Sequence, residues 1–151
     1  IAERRGCGFR AVSLPELGEA SDVIITITSS FAPLLTEAHV VGPTHIAAMG
    51  TDTVGKQELD PALVARARCF AELPSQSAHL GECQHAVGKG LMATSDIASL
   101  GGVIAERVPG REGSELTLFD GSGVGLQDLA VARAALERAR VRGRGQRLDL
   151  A

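Results

Sequence analysis

The sequence has no tryptophan and no tyrosine, and its aromatic content is only 3%. That argues against a binding surface made of aromatic platforms for single-stranded nucleic acid or sugars. Cysteine is equally scarce. Cys7, Cys69 and Cys83 are odd in number, widely spaced and form no C-x-x-C, so a reducing cytoplasm fits better than a disulfide framework. No run of about 18 apolar residues occurs, which excludes a membrane-spanning helix, and no signal peptide is evident. Basic residues form no stripe until the end, where Arg138, Arg140, Arg142, Arg144 and Arg147 cluster in a chain of net charge −3. Cations at a helix C-terminus complement its macrodipole, and that reading is preferred to a nucleic-acid patch. Neither nucleic acid nor membrane is expected as a partner.

What is present suits one globular unit. The chain has 151 residues, 44% hydrophobic and 22% charged, enough to build a core. It opens with IAERRGCGF, which reads like the last turns of a helix with a glycine stop, as if the sequence began in mid-fold. Phe9 to Ser13 is a candidate strand, and Pro15 to Ala20 a short helix with Ser13 as N-cap. Val23 to Thr28 is β-branched and almost wholly apolar, as expected for a strand buried on both faces. A turn with Pro33 should follow. Thr44 to Gly50 is a second buried strand, and 51–60 a polar loop. Asp60-Pro61 opens a helix, Arg68 to Leu73 is a third strand, and 75–89 is weakly patterned. Ser95 should cap a helix ending near Glu106. Strands alternating with short helices predict an α/β fold with a mainly parallel sheet.

LTLFDGSGVGLQDLA, residues 116–130, has the strand, glycine-rich turn and helix of a dinucleotide fingerprint. The glycines fall at 121, 123 and 125, whereas the fingerprint requires G-x-G-x-x-G. It also opens a βαβ unit of roughly 30 residues, and too little sequence follows. The segment therefore reads as a later strand-to-helix joint, its helix closed by Gly143.

In parallel sheets, ligands sit at the carboxyl ends of strands. Three polar stretches lie there: Thr28-Ser29-Ser30, GTDTVGK from Gly50 to Lys56, and DGSG from Asp120 to Gly123. Asp52 is the most suggestive residue. A carboxylate partly desolvated at a strand end can have its pKa raised and act as a base, although from the local sequence alone an Asx-turn residue is the preferred reading. Lys56 is placed to pair with Asp52 or to meet a phosphate. His79, Cys83 and His85 match no common zinc spacing and lack a fourth ligand; no metal is expected. There is no G-x-S-x-G elbow and no P-loop.

DVIITITSS, HIAAMGTDTVGKQELDPALVARA and ELTLFDGSGVGLQDLA, in that order, resemble the ornithine cyclodeaminase / mu-crystallin family over nearly the whole sequence. G-x-D-x-x-G-K-x-E-L followed by F-D-x-x-G-x-x-L-Q-D is a specific pairing. The resemblance implies a partial Rossmann-like parallel sheet with flanking helices, without its first strands and Gly-rich loop. Residues 1–125 would be part of an NAD(P)-binding domain. Residues 126–151 would be a helix and tail returning to an N-terminal substrate and dimerisation domain, as in a homodimer of full-length chains.

The same resemblance implies site roles. Asp52 resembles the catalytic acid/base. Thr28, Met49, Gly50, Thr51, Lys56 and Gly121 resemble cofactor-contacting positions on NAD or NADP, and Ser122 a substrate-facing one. Val54, Gly102, Gly121 and Gly125 depart from residues common in the family (Pro, Glu, Ser and Ala respectively). The activity implied is ornithine cyclodeaminase-like, converting ornithine to proline and ammonia. Two alternatives stand beside it: an imine or ketimine reductase or amino-acid dehydrogenase, and a non-enzymatic remnant or binding module.

Overall fold

The computed structural model describes residues 1–146 and Leu148. Arg147 of the arginine cluster and residues 149–151 of the tail lie outside the described residues. The chain begins with α1 (Ala2–Arg5) and α2 (Leu14–Ala20), followed by β1 (Val23–Thr26), β2 (Phe31–Leu35), β3 (Thr44–Ala48) and β4 (Gln57–Leu59). Next come α3 (Pro61–Arg66), β5 (Arg68–Ala71), α4 (Pro74–Leu80) and α5 (Gln84–Gly88). A 3₁₀ turn (Thr94–Asp96) leads into β6 (Ala98–Ser99), α6 (Leu100–Ile104), β7 (Leu116–Asp120) and α7 (Gly125–Val141).

Five strands form one sheet in the order β1-β3-β7-β5-β6. All its pairings are parallel. The register sets Ile24 beside Ile46, Ile46 beside Leu118, and Leu118 beside Cys69. This row is buried and packs on Leu59, Leu63, Val64, Cys83 and Ala86 from β4 and the helices α3 and α5. Each such aliphatic side chain contributes about 1.5–3 kcal/mol by leaving water. Caps expected from sequence are in place: the Ser13 hydroxyl accepts from Glu16 N–H, and the Asp60 carboxylate from Ala62 N–H at 2.9 Å.

Several expectations are corrected. Phe9 to Ser13 is not a strand; no neighbouring strand among the described residues satisfies its backbone. β1 is buried on one face only. It is an edge strand, and no described element covers its other face, where Val23 and Ile25, with Ile27 just beyond it, lie exposed. Pro33 lies inside β2, which pairs with β4 in a separate two-stranded sheet. The register shifts between Phe31 and Leu35, where Pro33 has no N–H to give the ladder. Residues 51–60 thus contain a strand as well as a loop. The segment 75–89 contains two helices. The helix assigned to Ser95 starts later: Asp96 accepts from Ala93 N–H at 2.8 Å to close the 3₁₀ turn, and Ser99 caps α6.

α7 leaves Leu126, Leu129, Val131, Leu136 and Val141 exposed, and none of its residues is buried. Among the described residues, no helix is long and apolar enough to cross a membrane.

Candidate active site at the carboxyl edge of the sheet

Because β1, β3 and β7 are parallel neighbours, the three polar stretches that follow them emerge side by side. Met49 N–H donates to Thr26 C=O at 2.8 Å and Gly121 N–H to Ala48 C=O at 2.9 Å, which extends the ladder into the loops. Gly121 lies against Met49. A Cβ built at 121 would sit 2.5 Å from Met49 Sδ. Met49 itself is 39% exposed and forms an apolar ledge at the strand ends.

Asp52 stands at the lip, its side chain 58% exposed. Lys56 Nζ lies 2.7 Å from its Oδ1, and the Thr53 hydroxyl donates to the same oxygen at 3.1 Å. These hydrogen bonds, Lys56 foremost, hold the Asp52 carboxyl below the usual carboxylate range. The expectation of a pKa raised by burial is therefore corrected. The pairing of Lys56 with Asp52 is present. Lys56 is more enclosed, at 18% side-chain exposure, and also donates to Gly50 C=O at 3.2 Å. Gln84 fastens this loop. Its Oε1 accepts from Gly55 N–H at 2.8 Å, and its Nε2 donates to the carbonyls of Thr53 and Lys56.

The remaining candidates divide by what holds them. Thr28 is exposed, and its N–H donates to Glu58 Oε1. Gly50 is buried with its N–H committed to Glu58 Oε2; a Cβ there would sit 2.4 Å from the Thr28 carbonyl oxygen. Thr51 is buried, and its hydroxyl turns inward to Glu82. Ser122 is half-buried and its hydroxyl accepts from Gln76 Nε2 at 3.0 Å, while Gln76 also donates to Gly123 C=O at 2.6 Å. Thr28, Gly50, Met49 and Gly121 are thus in mutual contact or share a partner. Asp52 and Lys56 join them through Gly50 C=O, and Ser122 through the chain.

Sequence reasoning missed the layer beneath. Glu58, Glu82 and Asp120 are all buried, and none makes an ion pair among the described residues. Burial raises the Glu82 pKa. It pushes Asp120 up to about 7 against the pull of the Ser77 hydroxyl, which donates to Oδ2. Asp120 Oδ1 has no partner. Glu58 stands inside the G-x-D-x-x-G-K-x-E-L pattern, but a lone glutamate in a polar stretch reads as surface. His85 Nε2 lies 3.1 Å from Lys56 C=O. Among the described residues, no group of three His, Cys, Asp or Glu is placed to hold a metal.

Met49 offers a flat apolar contact, Thr28 a hydroxyl at the rim, and the close packing at Gly50 and Gly121 leaves the ledge free of protruding side chains. A parallel sheet flanked by helices, with its polar loops gathered at the strand ends, defines a Rossmann-like α/β unit. The chain belongs to the ornithine cyclodeaminase/mu-crystallin family, whose profile matches residues 3–143.

Among its relatives, the iminosuccinate reductase of Paracoccus denitrificans is 57% identical over 149 residues, which cover 99% of this chain and 47% of the reductase. The crystal structure of that reductase in complex with NAD+ superposes with a TM-score of 0.95, covering 99% of this chain and 46% of the other. An archaeal alanine dehydrogenase dimer with bound NAD is 36% identical, with a TM-score of 0.90 over 99% of this chain and 47% of that one. Ornithine cyclodeaminase of Brucella abortus is 33% identical over 156 aligned positions, covering 99% of this chain and 42% of the cyclodeaminase. The chain spans about half the length of the relatives it matches.

Proposed function

We propose that this chain supplies the nicotinamide side of an NAD(P)-dependent oxidoreductase acting on a small amino or imino acid, with reduction of an imine such as iminosuccinate as the foremost candidate. The observation that carries this reading is the Asp52–Lys56 pair beside the Met49 ledge, at the edge where parallel sheets bind dinucleotides. The 57% identity to an iminosuccinate reductase favours one-step reduction over ornithine cyclodeamination, the family's other chemistry. NAD is preferred as cofactor because both solved relatives contain it. Residues 1–125 serve as the NAD(P)-binding part. Residues 126–151 serve as an arm to a substrate and dimerisation domain, an assignment supported by the exposed apolar side chains of α7.

When bound, the reduced nicotinamide supplies a hydride to the imine carbon. The substrate reacts as the protonated iminium, so hydride addition would turn the C=N⁺ double bond into a C–N single bond with one new C–H. Asp52, ionised at neutral pH, would face the positively charged iminium nitrogen and keep it protonated for hydride addition; in the reverse direction it would take the proton that the nitrogen releases. Lys56 holds the carboxylate in place and keeps it charged. Thr28, Gly50 and Gly121 shape the ledge, Thr51 anchors its loop inward, and the Ser122 hydroxyl faces the substrate.

The test is loss of NADH absorbance in the complete protein, with oxaloacetate and ammonia as the source of iminosuccinate. Ammonia release from ornithine with NAD serves as the competing assay. Turnover of the imine without ornithine cyclisation is expected. Ornithine cyclisation alone would replace this reading with the cyclodeaminase one. Failure to bind NADH at all would favour a non-enzymatic remnant or binding module.

A further inference from the structure

The geometry points to Glu58 as the residue that positions the two loops facing the nicotinamide, a role that needs an acceptor at both of its carboxyl oxygens; this rests on reading those loops as the dinucleotide site. Glu58 is 0% exposed. It accepts three hydrogen bonds from two different strand ends: Thr28 N–H to Oε1 at 2.6 Å, Gly50 N–H to Oε2 at 3.0 Å, and the Thr26 hydroxyl to Oε2 at 2.7 Å. Thr26 and Thr28 belong to β1 and its loop, Gly50 to the loop after β3. One side chain therefore fixes the spacing between the Thr28 rim and the Gly50 turn that carries Asp52. The closeness of the fit shows at Gly50, where a Cβ would sit 2.6 Å from the Glu58 carboxyl carbon.

Counting donors separates Glu58 from the acid behind it. An amide side chain has one acceptor oxygen and one donor NH₂. In Glu58→Gln, either orientation sets the NH₂ against a backbone N–H: Gly50 in one, Thr28 in the other. A backbone N–H cannot reverse its role. Glu82 differs. Its Oε1 accepts both backbone groups, Glu58 N–H at 2.9 Å and Leu59 N–H at 2.6 Å, while its Oε2 meets only the Thr51 hydroxyl. A hydroxyl donates or accepts, so in Glu82→Gln the oxygen keeps both N–H groups and Thr51 turns to accept from the NH₂. The two substitutions are chemically identical and both sites are buried, yet only the first breaks the hydrogen-bond pattern.

The experiment compares Glu58→Gln with Glu82→Gln in the complete protein. Amide hydrogen exchange of the segments holding Thr28 and Gly50 is read without cofactor, and NADH affinity is read from the fluorescence of the bound dinucleotide. Glu58→Gln should speed exchange at one of the two segments and weaken NADH binding, each by about tenfold or more, as expected for an opposed buried N–H. Glu82→Gln should leave both within about twofold of wild type, since every partner is still satisfied. Wild-type exchange in Glu58→Gln overturns the proposal, as does faster exchange with unchanged NADH affinity, or equal losses in both variants. Should Glu58→Gln fail to fold, Thr26→Val removes a single donor to the same carboxylate. It should weaken NADH about threefold, and unchanged affinity would again overturn the role. If wild type itself binds no NADH, the functional reading fails separately, and the exchange rates alone decide whether Glu58 holds the loops.

Discussion

Asp52 and Asp120 each follow from a strand of the same sheet, one just beyond β3 and the other at the end of its neighbour β7. Asp52 meets water and Lys56, and its pKa falls. Asp120 meets neither: it is fully buried, with one oxygen unpartnered, and its pKa climbs to about 7. The residue type and the edge of the fold are shared, so environment alone sets the difference. A few residues of loop lift Asp52 onto the surface beside a cation. Asp120 stays within the register of β7, beneath α4, where Gly81 leaves room for it: a Cβ there would lie 2.3 Å from Asp120 Oδ2. The exposed acid stays a carboxylate beside a cation, open to solvent. The buried acid ties the end of β7 to Ser77 of α4 and to the Cys83 N–H.

Removing the charge on the exposed side should give the largest effect. Asp52→Asn in the complete protein keeps the shape but cannot take a proton from a substrate nitrogen. Turnover should fall by about a hundredfold or more. NADH affinity and thermal stability should hardly change, because the side chain is largely in water. An Asx-turn role would give the reverse, since Asn makes the same turn; near-wild-type turnover in this variant would end the catalytic reading.

The sequence made the upper layer of this comparison visible and hid the lower. Period and β-branching marked the strands of the sheet, and polar runs after them marked its working edge, because both follow from local residue order. The Asp60-Pro61 and Ser13 caps were legible for the same reason. Glu58, Glu82 and Asp120 were not: a carboxylate is buried only when partners from elsewhere in the chain meet it, and those of Glu58 come from residues 26, 28 and 50. The exposed outer face of β1 was unreadable as well, since an apolar run does not show whether an element covers each of its faces. The position of Pro33 within β2 depended on β4, a strand of three residues too short to show a period.

On the buried side, Asp120→Asn should change how stability depends on pH. The folded pKa is raised from 3.8 to about 7. Below both values the acid is neutral in folded and unfolded chains and imposes no penalty. As pH rises from about 4 to about 7, the unfolded chain ionises first, so wild-type stability falls relative to a neutral side chain, by on the order of 4 kcal/mol. Above about pH 7 the difference levels off. Asn leaves an unpaired NH₂ in place of Oδ1, a cost that does not vary with pH. Urea midpoints of both proteins between pH 4 and 8, read with the two-state relation, isolate that slope. Parallel curves would mean that Asp120 titrates as an ordinary surface acid and that the comparison with Asp52 is empty.

The smallest effect should come from Gly121, where the buried turn touches the exposed ledge. A methyl group at 121 would lie 2.5 Å from Met49 Sδ, 2.6 Å from its Cε and 3.2 Å from Phe119 Cε1. Something must move, and the easiest part is the end of an unbranched, flexible methionine. Gly121 has no positive φ, so Ala adds no backbone strain. Gly121→Ala should therefore cost less than about 1 kcal/mol of stability, at the low end for overpacking. It should instead push Met49 off the ledge and weaken NADH binding by about threefold, the consequence of losing one apolar contact. Met49→Ala removes the obstructing side chain, so adding Gly121→Ala to it should have little further effect. The double-mutant cycle should then show a coupling of about 0.5 kcal/mol or more in NADH affinity. Additive losses would mean that Gly121→Ala acts other than through Met49, and unchanged NADH affinity in Met49→Ala would place Met49 away from the dinucleotide. A stability loss of several kcal/mol in Gly121→Ala would show that the ledge is rigid and that Met49 cannot give way.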